Sequence, residues 1–157
     1  MGIEIERKFR VLSLGDYPLG DGEEIDQGYL SDGDPTVRVR TKGRKAFITI
    51  KNRGKDPEDG EPISSAEFEY EIPMNDAAEL LDIARFRLQK TRYRTDSGVE
   101  IDVFKSPHDA LIMAEYESED GAQPAPLPGV NWFEVTEDRR YSNASIARNG
   151  VPPLDEK

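Results

Sequence analysis

Apolar and polar residues alternate with a period of two along most of this chain, the pattern of strands that bury one face. The alternation predicts strands over 2–12, 24–31, 35–42, 45–53, 66–72, 86–95, 98–105 and 110–118, with a short one near 132–136. Turn-forming clusters separate them, "LGDG", "SDGDP", "TKGR", "DSG" and "KSPHD". Such spacing belongs to an antiparallel sheet system or barrel. The period changes clearly in "PMNDAAELLDIA", where Asn75 is placed to cap a helix and Ala78, Leu80, Leu81 and Ile83 form its apolar side. A second short helix is predicted after "YSN", near 143–148. The segments "GKDPEDGEPIS" (54–64) and "GAQPAPLPG" (121–129) are loops by composition. The chain therefore reads as one domain over 1–157, mainly β with a few helices (α+β).

The polar faces of these strands are sorted by sign. "IEIERKF" puts Glu4, Glu6 and Lys8 on one side, and "TVRVR" pairs Arg38 with Arg40. "FITIKNR" joins Lys51 to Arg53, and "LQKTRYR" groups Lys90, Arg92 and Arg94. Carboxylates line up likewise: Glu67, Glu69 and Glu71, then Glu100 and Asp102, then Glu115 and Glu117. An ordinary half-buried sheet would turn such a face to water. Surfaces built for solubility intersperse the two signs, however. A closed barrel with a polar interior accounts for the sorting. Its cations would bind a polyanion, and its carboxylates a divalent metal that bridges to it.

Charge sharpens this picture. Net charge is −11, which speaks against nucleic acid and against anionic membranes, since both need a basic footprint. A small anion is still accommodated if the cations are collected locally. The chain has no cysteine and one histidine, His108, in a turn-like "SPHDA". Thiolate sites, multi-histidine metal sites and His-based triads are thereby set aside. Any metal would be held by carboxylates, which suits Mg²⁺ or Mn²⁺. No apolar run is long enough to span a membrane, so the expected location is the cytoplasm.

"EIERKF" resembles the Glu-x-Glu-x-Lys signature of the CYTH superfamily, the triphosphate tunnel metalloenzymes. The resemblance continues in order through "QGYLS", "TVRVR", "AFITIK", "EFEYEIP", "KTRY", "EIDVF", "AEYE" and "EVTEDRRYSN". It implies an eight-stranded antiparallel closed barrel whose polar tunnel binds triphosphate with divalent metal. It further implies metal ligation by Glu4, Glu6, Glu115 and Glu117, joined by Asp102 and Glu69. Triphosphate would be bound by Lys8, Arg38, Arg40, Lys51, Arg53, Lys90 and Arg92. Tyr29 and Lys90 match a Tyr–Lys pair linked to water attack in the bacterial triphosphatases. Ser65 departs from relatives that carry Arg there.

The implied activity is metal-dependent hydrolysis of inorganic triphosphate, with a small-molecule triphosphate as substrate. Class IV adenylate cyclase and thiamine triphosphatase are the enzyme alternatives. A non-catalytic polyphosphate- or nucleotide-binding barrel is the alternative of another class, although pure anion binding gains nothing from Glu-x-Glu pairs. An apolar outer barrel face is compatible with a homodimer. Plainer roles are expected elsewhere: solvated ion pairing for Glu67 and Glu71, strand-end positions for Arg10 and Arg94, docking of the final segment for Arg139, Arg140 and Tyr141, and packing for Trp132.

Overall fold

The computed structural model describes residues 5–52 and 66–154. Nine antiparallel strands and two helices are found among them: β1 (Ile5–Ser13), β2 (Glu23–Tyr29), β3 (Thr36–Lys42), β4 (Lys45–Asn52), β5 (Ala66–Ile72), α1 (Met74–Asp82), β6 (Phe86–Arg94), β7 (Glu100–Phe104), β8 (Ile112–Ser118), β9 (Asn131–Glu134) and α2 (Asn143–Asn149). Each predicted strand and both predicted helices have a counterpart. The chain divides into two compact units, 1–24 with 89–157 and 25–88. The division falls inside β2 and β6.

In the first unit the strands run β6-β7-β8-β1-β9. The β6–β7 turn closes through Thr95, whose N–H donates to Val99 O at 2.9 Å. Gly98 turns the chain at φ +89°, a conformation costly for a residue with a Cβ. The core is made by Phe9 and Val11 of β1, Val99 just before β7, Ile101 of β7 and Ala114 of β8, with Leu127. The segments around Leu14, Tyr17, Leu19 and Val130 pack over this apolar face. Trp132 stacks on Phe9 with ring centres 4.5 Å apart, in the packing role expected of it. The apolar face is thus covered by loops, and the charged face is the other one.

In the second unit the strands run β2-β3-β4-β5. Helix α1 covers Val39 and Ala46 with Ala77 and Leu81. Its start differs from expectation. Pro73, extended at φ −61° and ψ 144°, occupies the cap position without a side-chain bond, and its carbonyl accepts from Ala77 N at 3.0 Å. Asn75 therefore lies inside the first turn. Ala77, not Ala78, is buried, and Ile83 is exposed. On β5, Phe68 and Tyr70 face Ile50 and Ile48 in register yet stay largely exposed.

Among the described residues, no helix is long and apolar enough to cross a membrane.

Candidate functional site

Strand register decides which charged side chains meet. In the first unit Arg92 is opposite Asp102 and Arg94 opposite Glu100. Glu100 is opposite Glu115, Glu115 opposite Lys8, and Glu117 opposite Glu6. Residues directly opposite share a face, so one continuous charged surface crosses β6, β7, β8 and β1. Its centre is buried, while Arg94 and Glu117 at its ends are exposed. The side chains of Lys90 and Asp102 are 0% and 1% exposed, and that of Arg92 is 9% exposed.

Asp102 is the centre of this cluster. Arg92 grips it bidentately, Nε to Oδ1 at 2.8 Å and Nη2 to Oδ2 at 3.0 Å. Lys90 Nζ reaches Oδ2 at 2.8 Å. Burial alone would raise the Asp102 carboxyl, but Lys90 and Arg92 overcome it and hold it at about 2. Burial pulls the Lys90 ammonium down, against the opposing charge of Asp102. For Arg92, burial opposes and the Asp102 bonds prevail, so its guanidinium is raised further. Arg92 also approaches Glu100 and Glu115, each at 3.5 Å.

Carboxylates crowd the β1–β8 end of the surface. Glu6 is raised above the usual carboxylate range, first by burial and then by the charge of Glu115, with Lys8 opposing. Lys8 Nζ lies 3.6 Å from Glu6. Glu6, Glu115 and Glu117 bring carboxylates together at this end of the face, the oxygen chemistry that hard divalent cations take. Among the described residues no group of three or more acidic side chains is arranged to hold a metal ion. Glu4, Arg53, Ser65 and the 54–64 loop lie outside the described residues. A cavity of about 1200 Å³ takes in Glu6, Leu12, Phe133, Tyr141 and Leu154, but not Lys8, Arg92 or Asp102. It therefore lies beside the charged row.

The second unit carries its own polar row. Tyr29, Arg38, Thr49 and Glu69 stand opposite one another on β2, β3, β4 and β5. Tyr29 is buried, and its hydroxyl accepts from Gln27 Nε2 at 2.8 Å. Burial raises the phenol, while Arg38, Gln27 and Arg40 act to lower it. Arg40 Nε donates to Gln27 Oε1 at 3.1 Å. Arg38 Nη2 donates to Thr49 Oγ1 at 3.3 Å, and Thr49 donates on to Glu69 at 2.9 Å. Among the described residues, Arg38 Nε is buried without a hydrogen-bond partner. Lys51 is exposed.

Several participants were not among the expected site residues. Gln27 and Thr49 hold the second row, and Asn143 Oδ1 accepts from Lys90 at 3.1 Å. Gln27 had a signal, since a period of two puts it on the Tyr29 face. Arg10 is buried rather than at an open strand end, and donates to Tyr141 Oη at 3.1 Å and Pro152 O at 2.5 Å. Those bonds dock the final segment, as expected of Tyr141.

The family model described as CYTH domain matches residues 2–122. A relative from Acetivibrio thermocellus named inorganic triphosphatase is 35% identical over 157 aligned residues, spanning 95% of this chain and 96% of its own. One from Nitrosomonas europaea with the same name is 36% identical, spanning 92% and 96%. A crystal structure of an inorganic triphosphatase superposes with a TM-score of 0.69 at 34% identity, covering 98% of this chain and 99% of that one.

Proposed function

The chain belongs to the CYTH domain family, and from that premise we propose that it is a divalent-metal-dependent triphosphatase acting on inorganic triphosphate. The observation that carries this is buried charge: Lys90, Arg92 and Asp102 are buried on one face with the half-buried Glu6, Lys8 and Glu115. A fold does not desolvate so many charges for solubility, because each ion costs several kcal/mol to bury, on the order of 5. The names of the relatives favour inorganic triphosphate over a nucleotide or thiamine ester.

In this reading Glu4, Glu6, Glu115 and Glu117 hold the metal, Mg²⁺ or Mn²⁺. Bound there, it would neutralise charge on the phosphoryl group being transferred. Both oxygens of Asp102 are already taken by Lys90 and Arg92, so the metal role expected of it gives way to that of counter-ion. Glu69, bonded to Thr49, likewise serves Arg38. Lys8, Lys90 and Arg92 bind phosphate oxygens, and Arg38, Arg40, Lys51 and Arg53 are the further cations. Tyr29 and Lys90 direct the attacking water. Closure of the strands into an eight-stranded tunnel belongs to the same proposal.

The test is phosphate release from inorganic triphosphate, ATP and thiamine triphosphate, with Mg²⁺, Mn²⁺ or EDTA, for wild type and Glu4→Gln. Fast metal-dependent release from inorganic triphosphate, lost in the variant, is expected. Tight triphosphate binding with no release from any of them would instead indicate a binding protein.

A further inference from the structure

Lys90 lies at the bottom of the charged face with a fully buried side chain. An ammonium has three N–H donors and no acceptor, and burial strips it of the water that would otherwise satisfy them. One donor meets Asp102 Oδ2 at 2.8 Å. A second meets Asn143 Oδ1 at 3.1 Å. The Nζ atom also lies 5.4 Å from the centre of the Phe104 ring. Because the ammonium can only donate, the Asn143 amide must turn its oxygen toward it.

Asn143 is itself held firmly. It opens α2, where Ser142 Oγ accepts from Ser145 N at 3.1 Å. Tyr141, two residues earlier, is buried and bonded through its hydroxyl to Arg10. Arg10 also donates to Pro152 O, beyond the far end of α2. The segment is thus tied to β1 on both sides of the helix, and it delivers one uncharged acceptor to a buried cation. It also lies past residues 2–122, the part matched by the family model.

We propose that Asn143 is a positioning residue for Lys90: with Asp102 it orients the ammonium and leaves one N–H for a phosphate oxygen. The choice of an amide follows from charge. A second carboxylate would neutralise the ammonium further and weaken its hold on an anion, whereas an apolar residue would leave a donor unmet. The inference rests on the role of Lys90 in the proposed triphosphatase.

The experiment compares steady-state hydrolysis of inorganic triphosphate by wild type, Asn143→Leu, Asn143→Ser, Asn143→Asp and Lys90→Met, with thermal unfolding of each. Losing a hydrogen bond to a charged group corresponds to about a tenfold to hundredfold effect. Asn143→Leu and Asn143→Ser should lose kcat by at least about tenfold while KM moves less than about threefold, because the other cations still bind substrate. Asn143→Asp keeps an oxygen at the same place and should recover most of kcat, while its added charge weakens the hold of Lys90 on the anion and raises KM. Asn143→Ser preserves the test if the leucine variant fails to fold. A kcat within about twofold of wild type in the serine variant overturns the inference. So does an aspartate variant whose kcat is as low as that of the serine one, which would mean that Asn143 only packs. Full activity of Lys90→Met would overturn the role of Lys90 itself, and the inference with it.

Discussion

The ammonium of Lys90 stands 2.8 Å from the Asp102 carboxylate, and neither side chain reaches solvent. Arg92 grips the same carboxylate through two nitrogens, so one anion answers two buried cations. Removing one member of a buried pair costs about 3–5 kcal/mol, because the partner is left charged and unpaired. Asp102→Asn should therefore lower the melting temperature by roughly 6–20 °C for a chain of this size. The acid limb should change too. The Asp102 carboxyl is held at about 2, below its ordinary 3.8. Its contribution to stability is complete above the ordinary value and is lost as pH falls toward the folded one. Stability against pH, followed by urea unfolding between those values, should flatten in the variant. An unchanged acid limb in Asp102→Asn would refute the assignment.

Close approach of α1 to β2 needs a residue without a side chain. A Cβ on Gly28 would lie 2.7 Å from Ala84 Cβ and 3.1 Å from Leu81 Cδ2. Gly28→Ala should destabilise by about 1–3 kcal/mol through overpacking. Adding Ala84→Gly removes the nearer contact, and the double variant should recover part of the loss relative to the sum of the singles. Strict additivity in urea unfolding would show that the two positions do not meet.

The sequence carried the strands because their period of two is long and regular, and it carried the sign of each face for the same reason. Register was not legible. That Arg92 meets Asp102 while Glu6 meets Glu117 depends on turns and pairing that no single strand encodes. Asp102 and Glu115 looked alike as acidic strand residues, yet one is saturated by cations and the other borders the acidic end. Two uncharged participants were hidden for another reason: Thr49 and Asn143 are ordinary in strands or at helix starts. On α1 the error was one residue, Ala77 for Ala78, and adjacent helix positions differ by about 100° around the axis.

Among the described residues, Arg38 has a buried donor that nothing fills. Its Nη2 is bonded to Thr49, Glu69 is 3.8 Å away, and its buried Nε has no hydrogen-bond partner. Such a donor is costly unless something binds it. Arg38→Ala should raise KM for inorganic triphosphate by about tenfold to a hundredfold, with a smaller change in kcat. An unchanged KM would remove Arg38 from the set of substrate cations.

Glu6 gives the sharpest separation of stability from function. Burial, then the charge of Glu115, raise its carboxyl above the ordinary 4.5. For a carboxyl raised in the folded state, protonation favours folding, so the benefit is present at low pH and lost as pH rises through the folded value. At neutral pH without metal, the Glu6 charge therefore works against the fold. Glu6→Gln should melt higher than wild type at pH 7 in EDTA and match it in acid, where both side chains are neutral. Mg²⁺ or Mn²⁺ should reverse the order. A cation bound at Glu6 stabilises the folded wild type by mass action, whereas the glutamine variant has lost a ligand and gains less. Turnover of inorganic triphosphate should be lost in the variant even though it is the more stable protein in EDTA. Equal metal-induced stabilisation of the two proteins would place the cation somewhere other than at Glu6.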